Sequence, residues 1–337
     1  MTIEAVPVDL TPWFHGDEHD RDAVAAAVDQ ACQETGFLSV TGHGVDPALI
    51  DEMLAVCTEF FDLPMETKLR SRTDDLVGNR GYAPPESEAL SYSLGIDSPP
   101  DLFEAFNAGP AHAPAGIDDE ARSQFFATNL WPDDPPGMQA VWERYWQACA
   151  ELGDVLTDVF ARALGLPDGW FRPLLTEQPS VIRANNYQRA AGAPAPLDDQ
   201  MRMGAHSDYG SITILLADRV PGLQIRDDAG AWHDLLPPEN GFLVNLGDLL
   251  AEWTNDRWRS TVHRVVPPPP GDGPARRRSI AWFQQPNHDA IIEVLDACTS
   301  ADNPAKYPPT TAGGHLLAKL MGPRTGSAVD VDEGFLG

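Results

Sequence analysis

The sequence predicts a mainly β protein with flanking helices, in which helices pack on a β-core of sandwich or barrel type within one structural domain. Three observations predict it. Beyond about residue 179 the chain breaks into short apolar runs separated by turn signals such as Asp227-Asp-Ala-Gly230, the pattern of sandwiched or closed sheets. Before that point three stretches carry helical periodicity instead. With 337 residues, 42% of them hydrophobic, the chain can enclose a substantial core. No stretch approaches the ~20 consecutive apolar residues of a membrane span.

The elements follow in order. Val6-Pro-Val-Asp-Leu10 reads as a first strand, and a helix from about Asp20 to Thr35 places Val24, Ala27, Val28, Ala31 and Cys32 at helical spacing before Gly36 stops it. Phe37–Val40 is a second strand ending at Gly42-His-Gly44. A helix from Pro47 to Phe61 sets Ile50, Met53, Leu54, Cys57 and Phe60 on one face and closes at Leu63-Pro64. Residues 71–120, rich in Gly, Pro, Ser and acids, read as loop with short strands. A long helix spans Met138 to Leu164 and ends at Gly165-Leu-Pro167. The strand runs are then Ser180–Tyr187, Ser211–Leu216, Leu223–Arg226, Trp232–Asp234, Phe242–Leu246, His263–Val266 and Ser279–Phe283, with Pro267–Pro270 as a stiff hairpin tip. Thr311 to Leu320 makes a last helix before a weakly patterned end.

Charge excludes whole classes of partner. With 23 Lys+Arg against 51 Asp+Glu the net charge is −28, so duplex nucleic acid and anionic membrane surfaces would be repelled. A small-molecule partner is expected, for a monomer or simple homo-oligomer. The N-terminus shows no basic region followed by an apolar one, so no secretory signal is expected. Cys32, Cys57, Cys149 and Cys298 are scattered without a CxxC. That pattern argues against a zinc cluster or disulfide framework and for buried free thiols in a cytoplasmic protein.

His206-Ser-Asp208 precedes the apolar run Ile212–Leu216. On a strand, residues two apart share a face, so His206 and Asp208 would aim into one cavity while Ser207 faces away. An imidazole and a carboxylate so placed are two-thirds of the 2-His-1-carboxylate triad of non-haem Fe(II) oxygenases, which leaves three coordination positions open. An HxD alone is a weak signal, since two polar residues can simply sit at a strand end. His263, in the strand-like Ser260-Thr-Val-His-Arg-Val265, supplies a candidate third ligand. Arg277-Arg-Ser279 opens another strand with Arg277 and Ser279 on one face. A guanidinium fork plus a hydroxyl suits the far carboxylate of a dicarboxylic co-substrate; read alone, the same residues also fit a solvated basic run. A Ser-His-Asp hydrolase is excluded, because Ser207 would project away and no GxSxG is present.

Taken together, these segments are no longer anonymous. His206-Ser-Asp-Tyr-Gly-Ser-Ile-Thr-Ile-Leu-Leu216, Gly222-Leu-Gln-Ile225, Val244-Asn-Leu-Gly-Asp248, Trp253-Thr-Asn-Asp-Arg257, Ser260–Val265 and Arg277-Arg-Ser-Ile-Ala281 resemble the isopenicillin N synthase-like 2-oxoglutarate/Fe(II)-dependent oxygenases. Val6–Leu10, Glu34-Thr-Gly-Phe37, Gly42-His-Gly-Val45, Phe60-Phe-Asp-Leu-Pro64 and Asn129-Leu-Trp-Pro132 look like that family's N-terminal region. The resemblance runs over roughly residues 6 to 300 with the motifs in order.

It implies a double-stranded β-helix (jelly roll) core over 176–300. An N-terminal helix/strand region (1–130), a long helical segment (131–175) and a C-terminal helix and tail (301–337) would surround it. It implies His206, Asp208 and His263 as ligands of Fe(II), and Arg277 and Ser279 as the grip on the C5 carboxylate of 2-oxoglutarate, with O2 as the other co-substrate. Tyr187 and Asn185 match a segment that assists there, although Gln188 stands where the family usually has proline. Asn79-Arg-Gly-Tyr82 resembles a segment near the substrate pocket, which makes Arg80 and Tyr82 candidate substrate contacts alongside Phe283. His43, Asp248, Asp101 and Glu104 are expected to be structural, and His233, His288 and His315 to lie at the surface. The expected reaction is oxidation, above all hydroxylation, of an unactivated C–H bond with release of succinate and CO2. A 2-oxoglutarate-independent oxidase of the same fold, performing cyclisation or desaturation, and a non-catalytic binding or sensing protein are the alternatives.

Overall fold

The computed structural model describes residues 2–3, 5–72, 79–188, 195–268 and 276–325. The expected hairpin tip at Pro267–Pro270 lies partly outside these, as does the end of the chain. Two sheets face each other, and helices cover the outside of one of them. The strands are β1 (Thr2–Ile3), β2 (Val6–Asp9), β3 (Phe37–Thr41), β4 (Gly81–Ala83), β5 (Glu104–Ala108), β6 (Val181–Asn186), β7 (Met203–His206), β8 (Ile212–Ala217), β9 (Leu223–Arg226), β10 (Trp232–Leu235), β11 (Phe242–Leu246), β12 (His263–Val265) and β13 (Arg278–Gln284). Ile291–Ile292 (β14) and Thr310–Thr311 (β15) form a small separate pair. The helices are α1 (Thr11–His15), α2 (Glu18–Glu34), α3 (Pro47–Asp62), α4 (Met65–Lys68), α5 (Asp119–Phe125), α6 (Met138–Ala163), α7 (Asp248–Trp253) and α8 (Ala312–Thr325). Among the described residues no helix is long and apolar enough to cross a membrane.

The larger sheet has the order β2-β3-β11-β8-β13-β6-β5-β4 and the smaller one β1-β10-β9-β12-β7. Alternation along each strand decides what each face does. On one face of the larger sheet, Ile182, Ile214, Val244, Ile280 and Trp282 join the helix-side core with Val28 of α2, Phe60 of α3 and Trp142, Leu156 and Phe160 of α6. From its other face Ala105, Leu243 and the nearby Phe37, Phe103 and Tyr187 meet Met203, Leu223, Ile225 and Val265 of the smaller sheet. This is the jelly roll, with an apolar layer between sheets that also carries the polar groups described below.

Local chemistry sets the helix bounds. Asp17 caps α2 by accepting from His19 and Asp20, and Asp20 returns the bond to the Asp17 amide. The chain then leaves through Gly36 at φ +67°, where a Cβ would meet the Arg259 carbonyl. Asp46 caps α3, whose first residue is Pro47. α6 is the long scaffold: Gly153 lets it approach the sheet, because a Cβ there would sit 2.8 Å from Trp282. Cys32, Cys57, Cys149 and Cys298 are all buried free thiols.

Candidate active site

β7 ends on His206 and β12 begins on His263, and the two residues are register partners across that antiparallel pair. Their ring centroids lie 4.4 Å apart. The expected strand carries only the first histidine. Asp208 sits past the end of β7, on the link that crosses to β8 in the larger sheet, so the three side chains converge from both sheets. His206 Nε2 is 3.9 Å and His263 Nε2 4.0 Å from Asp208 Oδ1. One donor atom from each residue lies within 4.8 Å of the others. Ser207 does face away, donating to Asp248 Oδ2 at 3.1 Å.

The surroundings orient each donor. His206 Nδ1 bonds the Gly204 carbonyl at 2.8 Å and His263 Nδ1 that of Thr261 at 3.1 Å. A carbonyl can only accept, so each Nδ1 carries a proton, and in the neutral tautomer that this fixes each Nε2 is left with its lone pair toward Asp208. Phe37 packs edge-on against the His263 ring. Asp208 Oδ2 accepts from Thr213 Oγ1 at 2.5 Å and Asn245 Nδ2 at 2.6 Å, which turns Oδ1 to the imidazoles. Burial, with the field of His263, pushes His206 down to about 4, so its ring is neutral near pH 7. Burial pushes the Asp208 carboxyl up, but the two imidazoles and the Thr213 and Asn245 bonds outweigh it and hold it below its ordinary value. Two neutral nitrogens and one carboxylate, all inward-facing, fit Fe(II) by donor type and number.

A second polar cluster lies further along the same inner face. β13 pairs with β6 so that Ser279 opposes Asn185 and Phe283 opposes Val181. On its other side Ser279 opposes Ala217 and Phe283 opposes Thr213 of β8, so β13 runs from this cluster to the triad. Ser279 Oγ lies 3.3 Å from both Asn185 Nδ2 and the Tyr187 hydroxyl. Arg277, 1% exposed, stands over the Tyr187 ring at 5.0 Å. Its Nε and Nη1 have no hydrogen-bond partner among the described residues. Burying a guanidinium with idle donors is costly, and a carboxylate docked there would satisfy them. The co-substrate fits on that ground.

Comparison with known proteins agrees with this chemistry. The family model "non-haem dioxygenase in morphine synthesis N-terminal" matches residues 7–134, and that of the "2OG-Fe(II) oxygenase superfamily" matches residues 179–286. Homoarginine-6-hydroxylase 2-ODD-233 of Oryza sativa subsp. japonica is 30% identical over 307 residues, spanning 90% of each chain. The chain belongs to the 2-oxoglutarate/Fe(II)-dependent oxygenases. A second relative of this oxygenase, proline hydroxylase buaE of Petromyces alliaceus, is 32% identical over 90% of this chain and 94% of its own. The solved structure of a full-length Neurospora crassa protein in complex with alpha-KG superposes with a TM-score of 0.81 at 30% identity, over 93% of this chain and 94% of that one. The oxygenase is accordingly an enzyme that uses Fe(II), 2-oxoglutarate and O2.

The substrate-side expectations divide. Phe283 lies on the inner face of β13, half-buried, one strand from Thr213. Tyr82 is not brought to the site. It pairs with Phe106, on the helix side of the sheet, and its hydroxyl donates to Glu104 Oε2 at 2.5 Å. Arg80 is 5% exposed and donates to the carbonyls of Asn79 and Phe125, so it ties the approach to β4 to the end of α5, outside the triad. His315 is buried rather than superficial: its Nε2 lies 3.1 Å from the Tyr209 carbonyl, beside Asp208. Asp248 and Glu104 hold structure as expected, Asp248 receiving Ser207, Ser260 and Lys319.

Sequence reasoning missed several polar residues of this oxygenase. Arg183 lies on the inner face of β6, bonded through Nε to Asn185 Oδ1 at 3.0 Å and through Nη2 to Glu88 at 2.8 Å, with its guanidinium 5.0 Å from the Phe103 ring. Its charge helps depress His206, after burial and His263. Thr213 and Asn245 were legible only as alternate members of apolar strands. Asp101, by contrast, was expected to be structural, and it accepts from the Gly204 amide, whose own carbonyl holds His206.

Proposed function

We propose that His206, Asp208 and His263 hold the ferrous ion. Arg277 and Ser279, with Tyr187 and Asn185 beside them, hold the C5 carboxylate of 2-oxoglutarate, and the product is a hydroxylated small molecule. The observation that carries this reading is the pairing of two Nε2 lone pairs and a carboxylate oxygen at one end of a buried face with the idle donors of Arg277 further along it. When bound, ferrous iron supplies the activation of O2 that is coupled to oxidative decarboxylation of 2-oxoglutarate to succinate and CO2.

The chain's own residues do the rest. The Gly204 and Thr261 carbonyls fix the imidazole tautomers, and Thr213 and Asn245 aim the carboxylate. Arg277 and Ser279 fix one end of the co-substrate, so its other end is presented toward the triad rather than left to diffuse. Leu243 and Ala281 keep the intervening surface apolar. Phe283 and Arg183 meet the substrate, Arg183 steadied by Glu88 and Asn185. The names of the homoarginine and proline hydroxylases support hydroxylation as the outcome. The enzyme acts in the cytoplasm without a nucleic-acid or membrane partner, a reading supported by its four unpaired thiols and its charge of −28.

The test is anaerobic reconstitution with Fe(II), then 2-oxoglutarate, followed by the visible spectrum. A weak charge-transfer band on adding the keto acid is expected, and its loss in Arg277→Ala at the same 2-oxoglutarate concentration locates the grip. Small carboxylates and amino acids are then screened for succinate release and gain of one oxygen atom. Iron that fails to bind, or a band that persists unchanged in His263→Ala, overturns the assignment.

A further inference from the structure

We infer that the side of the β5–β6 pair facing away from the triad carries a second ligand site, one that takes a small organic cation of the quaternary ammonium or guanidinium class. A cavity of about 480 Å³ opens there, within the size range of small-molecule sites. It lies behind the catalytic face. Ala108 and Ile182 line it, whereas the adjacent Arg183 points to the inner side of the same sheet.

Two independent features select the ligand's chemistry. The first is aromatic: the half-buried Trp131 and Trp146 line the cavity, together with Trp142, which is 1% exposed. The Trp146 indole N–H is already committed to the Ser180 carbonyl at 2.9 Å, so what that side chain has left to offer is its ring. Aromatic faces carry a negative quadrupole and attract cations, tryptophan most strongly. The second is charge. Glu143, Glu151, Asp154 and Glu177 line the cavity, and among the described residues no lysine or arginine does. Asp154 is paired with Arg172 at 2.8 Å. Among the described residues Glu143 and Glu151 accept from Gln139 and Gln147 on their own helix and have no ion pair, and Glu177 has none either. Burial lifts the Asp154 carboxyl, and crowding by Asp158 and Glu151 adds to that lift despite Arg172. An arriving cation would relieve this crowding while its apolar part covered the indoles. An anion such as 2-oxoglutarate meets the opposite field, which separates this cavity from the co-substrate pocket.

The probe is benzyltrimethylammonium, with benzoate as its charge-reversed counterpart, added to the full-length enzyme and followed by calorimetry and tryptophan fluorescence. Saturable binding of one ammonium per chain is expected, with none of benzoate. The double variant Glu151→Gln/Glu177→Gln, at two exposed positions where folding is not at stake, is expected to weaken binding about fivefold or more. Saturating 2-oxoglutarate with Mn(II) should leave the affinity unchanged. Absence of saturable binding, equal affinity in the double variant, or displacement by 2-oxoglutarate each overturns the proposal.

Discussion

Asp208 divides its two oxygens, one fastened by Thr213 and Asn245 and one left facing the imidazoles. Asp208→Ala is expected to abolish iron-dependent succinate formation and lower iron stoichiometry, while wild-type turnover would remove it from the metal site. Asn245→Leu leaves the carboxylate in place but unaimed. Partners of this kind are typically worth about 10–100-fold in metal affinity or activity, readable by anaerobic Fe(II) titration. Arg277→Ala should raise the KM for 2-oxoglutarate steeply, since removing one partner of a desolvated ion pair costs about 2–5 kcal/mol. At this scale HxD and RxS stood out in the sequence because the metal triad and anion grip proposed for them would need fixed residue types at short spacing. Tyr82 was not, because the face of a three-residue strand is set by its pairing partner, and Tyr82 opposite Phe106 belongs to the helix side. A shift of one residue would have reversed it.

Among the elements, β5 shows best why a strand can hide in a sequence. Glu104-Ala-Phe-Asn-Ala108 has no clean apolar alternation, yet all five residues are buried. Glu104 is tolerated because Lys68 at 2.7 Å, Tyr82 and Asn186 at 2.7 Å all donate to it, from segments far away in the chain. Lys68→Met leaves that carboxylate without its cation, and a loss of about 3–5 kcal/mol in urea unfolding is expected for such a buried pair. The long periodic α6 was legible, whereas α1, α4, α5 and α7, of four to seven residues, are too short to show a helical period. α6 makes its own prediction at Gly153. Alanine gains about 1 kcal/mol of helix propensity but drives a methyl into Trp282, and such overpacking costs about 1–3 kcal/mol. Gly153→Ala should therefore lower the unfolding midpoint, and a rise would mean that Trp282 yields.

For the molecule as a whole, the count and spacing of short strands announced a two-layer β architecture, but not which strand joins which sheet. That assignment depends on long-range pairings such as β1 with β10 and β12 with β7, which alternation alone does not encode. The excess of 28 negative charges is a property of the whole surface. It opposes compaction by self-repulsion, so Tm should climb as NaCl goes from a few millimolar to about 0.15 M, where the screening length falls to about 8 Å. A flat response would show that the charge is already locally paired. The convergence of the triad has a mechanical side too. His206 and His263 stand on one sheet and Asp208 on the crossing to the other, so the ion proposed to bind among them would act as a cross-link that fastens the mouth of the barrel. Loading with Mn(II) at about 100 times its Kd should add about 2.7 kcal/mol to stability. Chelation would then slacken the vessel as well as silence its chemistry.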